Sequence, residues 1–261
     1  MRAFACILAA SLALTGAAEA APKRVASLNL CTDELLLALA APGQIASVTH
    51  LSGHEAETPL WRQARHYRRN DGSLLSVAAL RPNLVLTMGG GARDRTRIAE
   101  RLGIGVLDLP FPNSIADVEQ GIATVAAALG RETEGRRLLA RIAMLKRTRP
   151  AAAADTIWLG GGGRSVGADS LAGAWMRLAG FRQRPLKGDR VSLEQLLVHP
   201  PAILLRSDYR SGQYSGEQRW LAHPLAQGTR RSRAIATDGR RWTCMGPLMV
   251  DEVLRLRKAT S

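Results

Sequence analysis

The sequence contains few cysteines and few aromatic residues. There are three cysteines in 261 residues, and Phe, Tyr and Trp together make up 4% of the chain. So low a cysteine content excludes a disulfide-rich scaffold, and a hydrophobic content of 46% excludes an intrinsically disordered chain. The length is that of one large domain or two small ones with a buried core.

Acidic residues are the minority among the charged side chains. There are 22 Asp and Glu against 36 Lys and Arg, which gives a net charge of +14. The basic residues are scattered, without the run or stripe that is typical of a nucleic-acid-binding surface. We therefore expect no nucleic-acid partner, and the charge favours at most an anionic ligand.

The common enzyme motifs are also missing. The chain has no G-x-x-x-x-G-K-[ST], no G-x-S-x-G and no H-E-x-x-H, which argues against a P-loop enzyme, an α/β-hydrolase and a zincin. Glycine runs at 89–91 and 160–163 follow predicted strands, but neither completes G-x-G-x-x-G. We predict no catalytic residues, and a secreted enzyme is the less favoured alternative.

Residues 1–20 have the pattern of a cleaved secretory signal peptide. Arg2 precedes an apolar run over 3–14, and the small residues Ala18 and Ala20 form an A-x-A cleavage site. The apolar run is too short for a permanent membrane anchor. We predict export to the periplasm; the alternative is a buried N-terminal helix.

Two cysteines, Cys31 and Cys244, remain after cleavage of the predicted signal peptide. An exported protein is in a compartment that permits disulfides. These two residues therefore form either one bond, which ties the start of the chain to its end, or two separate buried thiols.

Strands and helices alternate in two parts of the chain, residues 21–113 and 150–261. In the first part we predict strands at 24–30, 45–49, 84–86 and 105–109, and helices at 32–41, 73–80 and 94–102. In the second part we predict strands at 156–159, 203–205 and 234–237, and helices at 170–179, 192–198 and 247–258. This alternation predicts two αβ lobes with mostly parallel sheets.

The segment between the two parts, residues 114–149, contains no strand pattern. Its apolar residues recur at helical spacing, from Ile115 and Val118 to Ile142 and Leu145. We predict a long, rigid connecting helix, which Gly130 either kinks or divides.

The two lobes also share a short sequence pattern. Residues 73–86 align with 192–205 without a gap, and Ser, Leu and Pro coincide at the first, second and tenth positions. We interpret the pattern as two copies of a helix, a proline and a strand. The alternative is chance similarity between two αβ units.

Ligands of open α/β sheets bind at the carboxyl ends of the strands. Arginine pairs with acidic groups, and aromatic rings stack on flat or macrocyclic ligands, so these residue types near strand ends are candidates for a binding site. The candidate ligand-binding residues are Asn29, Trp61, Arg164, Tyr209, Arg241 and Trp242. We assign Trp158 and Trp175 to the core.

One group of side chains is suitable for a metal ion. His50 and His54 lie in a loop after a predicted strand, and Glu55 and Glu57 follow them. The alternative function is therefore a receptor for free transition-metal ions. Our own expectation is no metal site and no resident cofactor.

The chain resembles the periplasmic substrate-binding proteins of ABC importers for cobalamin and ferric siderophores. The residues that carry the resemblance are 24–28, Asp33 to Leu36, Leu80 to Leu86 (similar to the family's L-K-P-D-L-V stretch) and Ser192 to Leu197. It implies two αβ lobes joined by a rigid helix, little hinge motion, and an iron or cobalt chelate bound in the cleft between the lobes. We expect a monomer that delivers this ligand to a membrane permease and catalyses no reaction.

The resemblance also implies docking to the permease through one surface glutamate on each lobe. Glu194 matches the position in the second lobe. The corresponding position in the first lobe is Leu75, a departure from the family pattern for which the nearby Asp71 is a candidate substitute.

Overall fold

The computed structural model describes residues 24–90, 93–209, 212 and 215–260. The predicted signal peptide, residues 1–20, lies outside the described residues, as does Gly91 of the first glycine run. Within the described ranges, no helix combines the length and the hydropathy that a membrane crossing requires.

The first lobe is a five-stranded parallel sheet with helices on both faces. Its elements, in chain order, are β1 (Val25–Ser27), α1 (Leu30–Leu39), β2 (Ile45–Thr49), α2 (Trp61–Ala64), β3 (Arg69–Asn70), α3 (Leu74–Ala78), β4 (Leu84–Met88), α4 (Arg93–Arg101) and β5 (Gly105–Leu109). The strand order is β3-β2-β1-β4-β5, and every pairing is parallel. Because β1 is central, the loops that follow β1 and β4 lie in the middle of the carboxyl edge.

The second lobe repeats this arrangement with four strands. Its elements are β6 (Ala154–Leu159), α7 (Leu171–Ala179), β7 (Phe181–Gln183), α8 (Leu193–Val198), β8 (Ile203–Ser207), α9 (Gly216–Leu221), β9 (Arg233–Thr237), α10 (Arg241–Cys244) and α11 (Met249–Thr260). The order is β7-β6-β8-β9, again with every pairing parallel. The predicted fold class of two αβ lobes with parallel sheets is confirmed.

The segment that joins the lobes is helical, as predicted, but it is not one continuous helix. It consists of α5 (Ile115–Leu129) and α6 (Glu132–Arg147), separated by Gly130 in the left-handed conformation (φ 64°). The two helices fold back on each other, because Lys146 near the end of α6 forms an ion pair with Glu119 near the start of α5 at 2.6 Å. Of the two alternatives for Gly130, division of the helix is the one observed, so the joining unit is a helical hairpin.

The helical hairpin belongs to a core that both lobes share. Buried residues of α1, α5, α6, α7 and α11 form one apolar cluster that contains Leu36, Ile122, Ile142, Trp175 and Val253. Each lobe has a smaller separate cluster on the opposite face of its sheet. Since one core spans both lobes and the hairpin, the lobes pack as a unit. Trp175 is fully buried there, as predicted.

Candidate functional site

The carboxyl ends of the two sheets face each other across a cleft. The hydroxyl of Tyr209, which follows β8, donates a hydrogen bond to Oε2 of Glu57 in the first lobe at 2.9 Å. Arg240, which follows β9, donates to the backbone carbonyl of Glu55 at 2.8 Å. Two polar contacts therefore connect the lobes on the side of the cleft formed by the loop after β2.

A disulfide forms the floor of this cleft. Cys31, in the first turn of α1, is bonded to Cys244 at the end of α10, with an S–S distance of 2.12 Å and a Cα–Cα distance of 5.2 Å. The two residues are 213 positions apart and belong to different lobes. The bond is the paired alternative of the sequence analysis, and it joins the lobes covalently.

An apolar cavity of about 210 Å³ lies beside the disulfide, between β5, α5 and the segment after Cys244. Pro110 and Pro112 both line it, and Phe111 between them is 58% exposed. The cavity therefore reaches the surface next to an exposed aromatic ring. Phe111 also packs over the end of β4, since a Cβ added to Gly89 would lie 2.8 Å from the ring.

Three of the predicted ligand-binding residues have other partners in the structure. Asn29 is the N-cap of α1, and its side-chain oxygen accepts a hydrogen bond from the backbone N–H of Cys31 at 2.8 Å. Arg164 follows β6 and forms an ion pair with Glu217, although its side chain is 60% exposed. Trp61 begins α2, where the guanidinium carbons of its neighbours Arg62 and Arg65 lie 4.6 and 5.3 Å from its ring centroid.

The prediction of Trp242 and Arg241 as ligand contacts requires correction. Trp242 is only 7% exposed, and its indole N–H donates to the Thr237 hydroxyl at 2.7 Å, so its ring belongs to the core. Arg241 donates to the carbonyl of Leu248 at 2.9 Å and faces Glu252 at 3.8 Å. Helix α10 turns both side chains inward, whereas Arg240 donates a hydrogen bond to the first lobe.

Sequence reasoning missed part of the site. The strand-end rule selects Phe111, which follows β5, although it was not among the candidate ligand-binding residues, whereas Arg240, which follows β9, was missed. Glu57 was considered only as a metal ligand, whereas it accepts the interlobe hydrogen bond from Tyr209. No sequence pattern indicated that contact, because it depends on how the lobes pack.

Two adjacent carboxyl groups of α1 are buried near the cleft floor. Asp33 accepts hydrogen bonds from the hydroxyl of Ser52 and from the backbone N–H of Thr49, yet burial raises its pKa. Burial raises the pKa of Glu34 further, to about 8, against the attraction of Arg241. Neither oxygen of Glu34 has a hydrogen-bond partner among the described residues. Glu34 is therefore a neutral acid at pH 7.

The family of the chain follows from a comparison with protein-family models. Residues 25–237 match the family described as periplasmic binding protein. The chain belongs to this family. The match covers both sheets and the helical hairpin, while Arg240 and Cys244 lie beyond it. No curated protein matches the sequence.

Solved periplasmic binding proteins have the same fold as this one. The haem-binding protein RhuT from Roseiflexus sp. RS-1 is 21% identical, with coverage of 92% of this chain and 99% of that one and a TM-score of 0.64. BtuF, the vitamin B12 binding protein of Vibrio cholerae, is 15% identical, with coverage of 91% and 96% and a TM-score of 0.60. BauB, bound to ferric iron and two acinetobactin molecules, is 16% identical, with coverage of 93% and 94% and a TM-score of 0.69.

The predicted docking residue of this periplasmic binding protein lies on the surface. Glu194 is exposed in the first turn of α8, and Leu75, in the corresponding helix α3, is 78% exposed. Both positions are accessible to a partner, and the side chain is apolar on the first lobe and acidic on the second.

The histidine pair does not form a metal site with its neighbours. The ring centroids of His50 and His54 are 6.4 Å apart, and Nδ1 of His50 lies 3.3 Å from the carbonyl of Asn70. In the described part of the chain, no three His, Cys, Asp or Glu side chains converge as metal ligands.

Proposed function

We propose that this periplasmic binding protein is the exported receptor of an ABC importer and that its ligand is an iron or cobalt chelate, either a ferric siderophore or cobalamin. It binds the chelate in the cleft, delivers it to the membrane permease and catalyses no reaction. The predicted signal peptide and the family support an exported location.

The composition of the cleft carries this proposal. The first lobe contributes the exposed ring of Phe111 and the apolar cavity beside it, and the second lobe contributes the exposed guanidinium of Arg164. Apolar walls and an aromatic ring suit the organic part of a chelate, and arginine suits its acidic groups. A free metal ion would instead require converging ligand side chains.

Charge favours a ferric siderophore over cobalamin. The net charge of +14 attracts an anionic ligand. Three solved relatives are binding proteins for haem, for a ferric acinetobactin complex and for vitamin B12, which supports the chelate class as a whole.

Delivery requires contact with the permease. We propose that Glu194 on α8 docks to a basic residue of the permease, and that the exposed Leu75 on α3 makes an apolar contact on the other lobe. The two lobes would then contribute different chemistry to docking, consistent with their exposed positions on corresponding helices.

Quenching of tryptophan fluorescence tests the proposed function. The mature protein is titrated with haemin, cobalamin and a panel of ferric siderophores, and we expect saturation by at least one chelate. Phe111→Ala should weaken that binding about tenfold, because the ligand loses a stacking ring worth about 1.4 kcal/mol.

Leu102→Ala is the matched control, since Leu102 is 52% exposed but lies before β5, at the end of the sheet away from the cleft. This variant should bind as the unchanged protein does. Saturation by none of the chelates would refute the proposed function. Equal losses of chelate affinity in the two variants would show that Phe111 does not contact the ligand.

A further inference from the structure

The lining of the cavity beside the disulfide is mainly apolar, with one polar exception on β5: Asp108 lines the cavity, and its buried Oδ1 has no hydrogen-bond partner among the described residues. Its walls are mainly the apolar side chains of Leu35, Met88, Leu107, Leu109, Val118 and Pro247, together with the disulfide. The polar residues contributed by α5 have internal partners: Asp117 accepts from the backbone N–H of Ser114 at 3.0 Å, and Gln120 donates to Thr124 at 3.2 Å. Because most of the lining is apolar, an apolar group is the occupant that this cavity favours, and the unpartnered oxygen of Asp108 disfavours an anionic one.

The volume of the cavity is suitable for one aromatic ring. Its volume of about 210 Å³ exceeds the roughly 150 Å³ of an engineered apolar cavity that holds benzene. A benzyl or phenyl group with a short linker fits this volume, whereas a complete chelate does not. The opening beside Phe111 places the cavity next to the part of the cleft assigned to the ligand.

A glycine in the middle of α5 keeps the cavity open. Gly121 lies in the interior of the helix, where glycine has a lower helix propensity than alanine. It lines the cavity, and a Cβ added to it would meet nothing within 4 Å outside its own helix. Neither packing nor a positive φ requires glycine here, and a side chain larger than alanine would project into the free volume of the cavity.

We propose that this cavity receives an uncharged apolar arm of the bound chelate, about the size of one aromatic ring, and that Gly121 sets the size limit of the arm. The inference rests on the proposed function for the identity of the ligand. It narrows the substrate class to chelates that carry such an arm.

Thermal denaturation of the ligand-free protein tests the cavity itself, with benzene and benzoate as probes. Benzene should raise the Tm of the unchanged protein, and benzoate should not, because its charge is not compensated inside the cavity. Gly121→Leu should abolish the benzene shift by filling the volume. Gly43→Leu is the matched control, since Gly43 is exposed and a Cβ there also meets nothing within 4 Å.

Chelate affinity tests the role of the arm. The probes are the ferric complexes of 2,3-dihydroxybenzoylglycine and 2,3-dihydroxybenzoylphenylalanine, whose ligand molecules differ by one benzyl group each. We expect the unchanged protein to bind the second complex about tenfold or more tightly, because a buried ring removes on the order of 100 Å² of apolar surface from water. Gly121→Leu should remove this preference, and Gly43→Leu should retain it.

The two proposals fail in different ways. Chelate binding with no preference for the benzyl arm, or a preference that survives in Gly121→Leu, would overturn the apolar-arm inference and leave the receptor function intact. In a second outcome, benzene raises the Tm of the unchanged protein but not that of Gly121→Leu, and no chelate binds. This outcome would refute the receptor function and show that the cavity is a site for small apolar molecules. A benzene shift of equal size in all three proteins would overturn the role of Gly121.

Discussion

Glu34 shows how strongly packing changes the chemistry of one residue. It follows Cys31 by one turn of α1, and only 2% of its surface is exposed. On the sequence alone, Asp33 and Glu34 are acidic residues that favour the positive end of a helix. In the fold both are buried, and burial raises the pKa of Glu34 from 4.5 to about 8.

The protonation of Glu34 should make stability depend on pH. The unfolded chain loses this proton near pH 4.5 and the folded chain keeps it to about pH 8, so the free energy of unfolding falls as the pH rises between these values. Glu34→Gln does not titrate. The free energy of unfolding of this variant, relative to that of the unchanged protein, should therefore rise by about 2–4 kcal/mol from pH 5 to pH 8, measured by urea denaturation.

The exposed Glu100 provides the control for this experiment. The free energy of unfolding of Glu100→Gln should differ from that of the unchanged protein by the same amount at pH 5 and pH 8. A Glu34→Gln variant whose difference is also constant with pH would contradict a buried neutral carboxyl at this position.

Helix α5 contains two glycines with opposite roles. Gly121 is in the helix interior, whereas Gly130 ends the helix with φ 64°, a conformation that favours glycine. The left-handed residue allows the chain to turn back into α6. The close approach of the two helices is visible at Gly135, where an added Cβ would lie 2.6 Å from Cβ of Ala126.

Alanine substitutions at the two glycines of α5 should have opposite effects on stability. Gly121→Ala should stabilise the protein by up to about 1 kcal/mol, because alanine has the higher helix propensity and has free space here. Gly130→Ala should destabilise it by about 1 kcal/mol, because the left-handed conformation is strained for alanine. Urea denaturation midpoints measure both, and changes of the same sign would contradict the assignment of these positions.

Element boundaries in the sequence analysis were accurate where the hydrophobic pattern was long. The strands at 45–49 and 105–109 were predicted with the observed bounds. The edge strands β3 and β7 were missed, since they have two and three residues and include Arg69 and Arg182. Such short edge strands have no alternating pattern to detect, and only their pairing with a neighbour defines them.

At the scale of the whole molecule, the lobes are connected in three ways besides the helical hairpin that joins them. They share one apolar core, they make polar contacts through Tyr209 and Arg240, and the Cys31–Cys244 disulfide crosses the cleft floor. A covalent bond at the floor restricts separation of the lobes. The small hinge motion that the family resemblance implies stays a prediction.

Removal of the disulfide should destabilise the mature protein substantially. The bond closes a loop of more than 200 residues, and in the chain-entropy model its loss costs about 4–5 kcal/mol. Cys31→Ala combined with Cys244→Ala should lower the Tm by about 10 °C. Dithiothreitol should lower the Tm of the unchanged protein to a similar extent and leave that of the double variant unaltered.

Thiol labelling of the denatured, unreduced protein provides a second measurement. A bonded pair leaves no free thiol in the mature chain. Two labelled thiols, or a Tm that dithiothreitol does not change, would contradict the interlobe bond.

The candidate site was harder to predict than the fold. Strand ends located the loops that line the cleft, including those of Phe111, Tyr209 and Arg240. The choice among residues within a loop depended on side-chain direction, which helix α10 determines for Trp242 and Arg241. A sequence rule that selects aromatic and arginine residues cannot distinguish a side chain in the cleft from one in the core.

Local patterns along the chain were enough to establish two αβ lobes, parallel sheets and a helical connection, because these features depend on hydrophobic periodicity and on glycine and proline over a few residues. The pairing of Cys31 with Cys244, the return of α6 along α5 and the burial of Glu34 required the folded molecule. Each of these depends on contacts between distant parts of the chain, where the packing of the lobes determines which side chains meet.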